Sequence, residues 1–534
     1  MAARPGGDSP MDAIAVAVIV TYLIAVTAIG SIMTRRAATS TGWAVAGGGM
    51  SATLVAVGIA GTRIGGAGTY GVAGDVVSGG VWNLWWYGIS TFLALALVGL
   101  FFAVYYRRLR LQTVGEIFTI RWRTRRCQWM TSLCVQTEYV IVNLIEAYVI
   151  GVIVSTLTPL PMLAGVLIAA AIFATYVSLG GLWGTAITNL IHCSVVLVGL
   201  LTVGLMGIAQ LGGWEGVTTA IGGHLATAAR SDAAWWGFVG AGWLPVFAMV
   251  FSAAIHTPAA SVYTNYAAAA QNERHIPPAF LAAGAIAALM PMLAGLIAIL
   301  TTARYGIDTG LSGYRNLTTL ASEISPVVGG VALAAVLAAV ISSGGPILLS
   351  SATMFVRDWL PFTRGYDSAQ RLRAYRVTTV LYAILAALAA WVVATQTDIS
   401  ILDLLLFGFA MVVPPAIAVA YLIYWRRTTE RGAYWGMAIG YGAGLVWFAL
   451  IKLAVAAGLA APEGASALYR LAVQMLTVNG EGLDPSYITT LVPLVAVPAI
   501  SLLTPDATSD DEVDGGDRFY AMLAGERPVD REGV

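Results

Sequence analysis

Apolar runs of eighteen or more residues recur from near the N-terminus to about residue 504. Each is long enough to cross roughly 30 Å of hydrocarbon as an α-helix. Such a chain has to fold inside a bilayer, where helices satisfy their own backbone polar groups without water. Composition agrees: of 534 residues, 58% are hydrophobic and only 10% charged, against about 25% charged in a soluble domain. The first run, 11–33, follows a short polar leader, 1–10, and no small-residue cleavage site comes after it. It is too long for a signal-peptide core and reads as a retained helix.

The expected fold is an all-α integral membrane protein. About thirteen spans are predicted, centred near residues 22, 62, 92, 140, 170, 198, 246, 290, 340, 385, 412, 446 and 495. Alternate loops differ strongly in arginine. One set carries eighteen, among them Arg107, Arg108, Arg121, Arg357 and Arg426; the other carries only Arg230, Arg304, Arg315 and Arg470. Short basic loops stay cytoplasmic, which predicts a multi-pass cell-membrane protein with its N-terminus outside. The acidic segment 505–534 is then a cytoplasmic tail, solvated and weakly ordered by its composition. Asn316 heads a formal glycosylation acceptor on a predicted outer loop. Lys452, the sole lysine, is expected to snorkel to the interface.

The three cysteines and four histidines lack metal-ligand or disulfide spacing, and no nucleophile elbow or phosphate loop is present. An enzyme is not expected. The glycines are more informative: Gly58 to Gly74 holds seven glycines in seventeen residues at membrane depth. Glycine inside a helix costs about 1 kcal/mol relative to alanine. Freed backbone groups survive in a membrane only against protein or a water-filled cavity, and an interrupted helix is a pointer to a transporter's midplane site. The competing reading is close helix packing, since Gly61-x-x-x-Gly65 fits the small-residue contact pattern. Gly66-x-Gly68-x-x-Gly71 matches a dinucleotide fingerprint, but no βαβ unit surrounds it.

Arg63 lies inside this stretch, where insertion of an arginine costs about 2.5–3.5 kcal/mol. Partners are available on the fourth span, where Gln136, Tyr139, Asn143 and Glu146 share one helix face and Glu138 is offset from it. Two readings stand side by side: Arg63 is bridged by Glu146 or Glu138, or it offers a bidentate fork to a substrate carboxylate. In the ninth span, Ser342 and Ser343 precede Gly344-Gly345-Pro346, pairing hydroxyls with an expected weakening of the helix. Such oxygens suit a hard cation, or the hydroxyls simply bond back to the preceding turn.

Three segments resemble the sodium:solute symporter family. They are 176–189, with its tyrosine, paired glycines and tryptophan; the serine-pair helix 335–343; and the aromatic, basic loop 424–440 leading into a glycine-rich helix. The resemblance implies a LeuT-type fold, a five-plus-five inverted repeat in which the first helix of each repeat is broken. The repeats would be 48–210 and 235–425, flanked by a helix at 11–33 and two more within 433–504. The breaks are expected near residues 62 and 250.

The resemblance also implies a sodium coupling ion on the backbone carbonyls of Gly61, Ile64 and Ala339 and the hydroxyls of Ser342 and Ser343. Substrate contacts would fall on Arg63, Gly65, Gly66, Gly68, Tyr87, Tyr139, Asn143 and Glu146. Two departures bear on this. Arg63 stands where many members have Asp or Asn, and Asn189 where the sixth helix usually has Asp. At about 5 Å and an effective dielectric near 20, a second cation is repelled by roughly 3 kcal/mol.

The expected function is therefore a sodium symporter importing a small, possibly carboxylate-bearing solute. The alternative is a sodium-independent or proton-coupled transporter or exchanger using Arg63 and Glu146. A sensor on the same fold would need a signalling domain for which 505–534 leaves little room. Partners are a small-molecule solute and the lipid bilayer; no nucleic acid is expected.

Overall fold

The computed structural model describes residues 13–85, 87–240, 242–307, 314–396, 401–456, 466, 484–504 and 510–526. Among these every regular element is helical, apart from one isolated bridge between Met50 and Ala270. Ten helices are long and apolar enough to cross a membrane, or eleven if one bent pair counts as a span. The expectation was about thirteen. The difference arises where helices are merged or interrupted.

The helix α1 (Ala13–Ile32) leans on the outside of the bundle, where the Tyr22 hydroxyl bonds His192 Nδ1. Ser51 then caps α2 (Ala52–Gly66), its hydroxyl accepting from the Leu54 N–H. The break comes at Gly65, with φ 52° and ψ 177°, a region open essentially to glycine alone. A wide turn over Ala67–Gly71 leads into α3 (Val72–Gly79). Both readings of the glycine-rich stretch hold, at different glycines. Gly65 makes the break, while a side chain at Gly58 or Gly61 would fall 2.4 Å from Tyr266 and 2.6 Å from Asn189. Those two serve close packing.

Next come α4 (Ile89–Phe101), α5 (Arg126–Leu157) and α6 (Met162–Gln210). At 49 residues α6 runs about 74 Å at 1.5 Å per residue, twice what a bilayer needs. It turns at Gly181, with φ 54°. The carbonyls freed there are satisfied by side chains: Trp43 Nε1 donates to Val177 O and Ser178 O at 3.1 Å each, and Arg376 Nε donates to Ser178 O at 2.9 Å. The tyrosine, paired-glycine and tryptophan motif of 176–189 is thus a corner held by buried donors.

The second interruption separates α7 (Trp243–Ile255) from α8 (Ser261–Ala269), which are bent by 55°. It lies at 256–260, not near residue 250. Pro258 in this turn has no N–H to donate. Met50, ahead of the first broken segment, pairs with the end of the second: its N–H donates to Ala269 O at 2.9 Å, and its carbonyl accepts from Gln271 at 2.9 Å.

Behind the two breaks run α9 (Ile276–Tyr305) and α10 (Pro326–Met354). The whole of 332–354 on α10 is buried. Contrary to the expected weakening, α10 continues through Pro346. Its glycines take in neighbours: a side chain at Gly344 would lie 2.6 Å from Phe173, and one at Gly345 1.8 Å from the Tyr176 hydroxyl. Four further helices complete the wall: α11 (Ser368–Gln396), α12 (Ile401–Tyr424), α13 (Glu430–Ala456) and α14 (Pro485–Leu503). Lys452 is exposed, with Nζ 5.5 Å above the Phe448 ring.

Two expectations about polar segments change. Asn316 belongs to a helix, Tyr314–Ile324, not to a loop. The acidic tail contains α15 (Asp510–Ala524), which docks instead of extending into solvent. Phe519 is fully buried, Arg108 Nη1 donates to Leu523 O at 2.7 Å, and the Tyr520 hydroxyl donates to Leu422 O at 3.0 Å. Arg426 lies 4.7 Å above the Tyr520 ring. Net acidity concealed an apolar face around Phe519.

Candidate functional site

A cavity of about 30 Å³ lies between the broken segments and α5, lined by Arg63, Gly65, Tyr87, Glu138, Tyr139 and Glu146, with Tyr263 and Phe409 closing it. That volume holds about two water molecules and no organic solute, for which sites run to about 300 Å³ or more. The side chains around it have to part before a solute enters.

Arg63 sits at the end of α2 and is 6% exposed. Its Nη2 donates to Ala253 O at 3.1 Å and its Nε to Thr91 Oγ1 at 3.5 Å. Ala253 is in the last turn of α7, at the negative end of the helix dipole, and its carbonyl also accepts from the Thr257 hydroxyl at 2.7 Å. The rings of Tyr87 and Phe409 both lie 5.5 Å from the guanidinium carbon, within cation–π range. Among the described residues Arg63 makes no ion pair with Glu146 or Glu138. The expected bridge is not formed. A carbonyl of the α7 end, the Thr91 and Tyr263 hydroxyls and two rings surround the charge instead.

Glu146 is committed to the first break. The Gly66 N–H, first of the helical stretch beyond Gly65, donates to Oε2 at 3.0 Å and Oε1 at 3.3 Å. A carboxylate at a helix N-terminus meets both the free N–H groups and the positive dipole end. Broken transporter helices present such an end to anionic substrates; here the protein's own carboxylate occupies it. Ser343 lies on the other side of the same carboxylate.

The proposed ion donors divide into two groups. Ser342 Oγ donates at 2.8 Å to Gly61 O on α2 and at 2.7 Å to Ala339 O on its own helix, so three of the five oxygens converge. Ile64 O accepts from the Ala67 N–H across the break, and Ser343 faces Glu146. Asn189 Nδ2 donates to Gly58 O at 2.9 Å while its Oδ1 stays buried without a hydrogen bond.

Other expected contacts serve structure. The Tyr139 hydroxyl lines the cavity but accepts from the Val262 N–H at 2.7 Å, capping α8. Asn143 faces α10, donating to Tyr139 O at 2.7 Å and Ser351 Oγ at 3.4 Å, and Gln136 donates to Ser351 O at 2.9 Å. Gly68 packs on the ring of Tyr87, a residue held at φ 51°. Sequence reasoning missed His256, Tyr263, Thr91 and Phe409. None stands in a motif; the second break carries only one proline as its signal, and Phe409 lies in an unbroken apolar run.

A family model described as Sodium:solute symporter family matches residues 43–440. The chain belongs to the sodium:solute symporter family. This symporter-family chain is similar to the rabbit (Oryctolagus cuniculus) sodium/glucose cotransporter 1, at 26% identity over 80% of this chain and 71% of that protein. It is also similar to the sodium/proline symporter of Staphylococcus aureus, at 24% identity over 54% of this chain and 56% of the relative. Among solved structures, a Na+-coupled sialic acid symporter in a substrate-bound outward-open state superposes with a TM-score of 0.69 at 18% identity, covering 92% of this chain and 99% of the other. MhsT in complex with L-phenylalanine gives 0.54 at 14% identity, covering 85% and 99%. At these identities the likeness shows the fold, which is the LeuT-type inverted repeat with a broken first helix in each half. The family is one of membrane transporters.

Proposed function

We infer that this protein imports a small organic solute by sodium symport, with solute in the enlarged cavity beside Arg63 and sodium on the oxygens of Gly61, Ile64, Ala339, Ser342 and Ser343. The observation that carries the ion site is the approach of Ser342 Oγ to carbonyls of two different helices, 2.8 Å from Gly61 O and 2.7 Å from Ala339 O. An ion there would bind α2 to α10, and by differential affinity would favour the closed arrangement. A carboxylate on the solute is the best match to Arg63, the one cation lining the cavity among the described residues, because Gly66 is already occupied by Glu146. Gly65, Tyr87 and Tyr139 line the pocket around that contact, with Gly66, Gly68 and Asn143 packed behind them. The repeats are assigned to 48–210 and 235–425, with the N-terminus outside.

A second reading is supported by Arg63 itself. A guanidinium between Gly61 and Ile64 repels sodium by roughly 3 kcal/mol at about 5 Å, so transport without sodium, driven by protons or exchange through Arg63 and Glu146, is the competing proposal. The deciding experiment is uptake into proteoliposomes of radiolabelled proline, glucose and N-acetylneuraminic acid under imposed sodium or proton gradients. Sodium-driven uptake should disappear in Ser342→Ala/Ser343→Ala, and Arg63→Ala should lose anionic solutes selectively. Uptake unchanged when the sodium gradient is removed would sink the first reading.

A further inference from the structure

Glu138, which lines the cavity, has a second buried neighbour in His256, which stacks on the cavity-lining Phe409. Glu138 on α5 faces His256 in the break between α7 and α8, with Nε2 3.9 Å from Oε1. His256 is 0% and Glu138 5% exposed. His256 Nδ1 lies 2.7 Å from Ser252 O. A carbonyl only accepts, so Nδ1 carries a hydrogen, and in a neutral imidazole Nε2 is then a lone pair. That lone pair lies 3.9 Å from a carboxylate oxygen, beyond hydrogen-bond distance. Neither His256 Nε2 nor Glu138 Oε2 has a hydrogen-bond partner. Two acceptors facing each other in a low-dielectric interior repel. A single proton resolves the conflict, either as imidazolium with carboxylate or as imidazole with carboxylic acid.

The surroundings permit this. Arg63 on α2 is the one fixed cation near the pair; Tyr263 on α8, Tyr87 ahead of α4, and Tyr139 and Glu146 on α5 are the other titratable groups around the cavity. Among the described side chains of α12, Phe409 stacks on the imidazole at 4.1 Å and 12°, and Leu405 lines the cavity. We propose that Glu138 and His256 form a proton site joining α5 to the second broken segment, holding one proton while that contact is closed and exchanging it with water when the contact opens. This rests on the transport reading and deepens it: a proton-dependent step accompanies movement of the broken segment against α5. The proton is taken from water and returned to water, and no other bond changes.

The test compares full-length wild type in detergent with Glu138→Gln, His256→Gln and the double variant, following unfolding from about pH 5 to about pH 9 with and without NaCl. An unfolded histidine loses its proton near pH 6.5. If the folded pair keeps its proton beyond that point, the folded state binds more protons. Wild-type stability relative to the double variant then falls as pH rises above about 6.5, by up to tenfold in the folding equilibrium per pH unit. The two single variants should depart from additivity, because each removes the neighbour that fixes the other group's proton. Stability that instead falls as pH drops below about 6.5 would mean the pair holds no proton and would overturn the proposal, as would single-variant effects that simply add. Should a variant not fold, infrared spectra of the wild type over the same pH range test the site alone: a protonated-carboxyl or an imidazolium band that persists above about pH 6.5 supports it, and the absence of both overturns it. Stabilisation by NaCl reports separately on the sodium reading: its absence with the pH profile intact overturns that reading and leaves the proton site standing.

Discussion

Replacing Gly65 by alanine separates a backbone requirement from mere helix propensity. Propensity alone favours alanine by about 1 kcal/mol. At φ 52° and ψ 177° any side chain is strained, by about 1–3 kcal/mol. The new methyl would also lie 2.7 Å from Glu146 Oε1 and 3.1 Å from Ser343 Oγ. The carboxylate must then leave the Gly66 N–H, and hydrogen bonds to charged groups are worth about 1.5–3 kcal/mol. The expected destabilisation is the sum, about 2.5–6 kcal/mol. Gly71→Ala is the internal control: its methyl meets nothing within 4 Å, and stability should rise by up to about 1 kcal/mol. In a Glu146→Ala background, Gly65→Ala should cost only the strain, about 1–3 kcal/mol. The assay is the unfolding midpoint of the purified protein in detergent, with sodium-driven uptake alongside. Equal midpoints for Gly65→Ala and Gly71→Ala would refute the argument that this glycine is there for its dihedral angles.

Gly345→Ala should destabilise by about 1–3 kcal/mol through overpacking, since the methyl would fall 1.8 Å from a Tyr176 hydroxyl that donates to Ile341 O at 2.9 Å; a Tyr176→Phe partner substitution should recover part of the loss in the same unfolding assay. Arg108→Ala should release α15, raising amide exchange across 510–524 while the membrane helices keep theirs, because Arg108 holds both Leu523 O and Glu273. Arg108 also keeps Glu273 below the usual carboxylate range. A depressed carboxylate contributes stability above its unfolded range and loses it as pH falls through the folded one. For this surface pair the effect should stay under about 1 kcal/mol, read as the difference between wild type and Glu273→Gln in an acid titration.

Much of the fold was legible because membrane burial imposes a coarse code. Long apolar runs mark helices whatever they pack against, and a cluster of glycines at that depth marks either a break or a contact. Which glycine did which depended on partners far along the chain: Tyr266 and Asn189 for Gly58 and Gly61, Glu146 for Gly65. The 49-residue helix hides its corner at Gly181 for the same reason, since the donors that permit it, Trp43 and Arg376, lie far from it in sequence. Net acidity misled at the tail, where the face around Phe519 decided the outcome.

At the site, the sequence by itself determined that Arg63 had to be compensated and that Ser342 and Ser343 stood as paired hydroxyls in one apolar span. Hydropathy and insertion energy are properties of the residue and its depth, so no structure was needed for either. Only the tertiary structure decided what surrounds Arg63, namely the last turn of α7, the Thr91 and Tyr263 hydroxyls and two aromatic rings, with Glu146 turned to the Gly66 amide. Hydrogen bonding and cation–π attraction act over a few ångströms and depend on direction. The partners of a buried charge are therefore set by how the broken helices cross, which no spacing along the chain records.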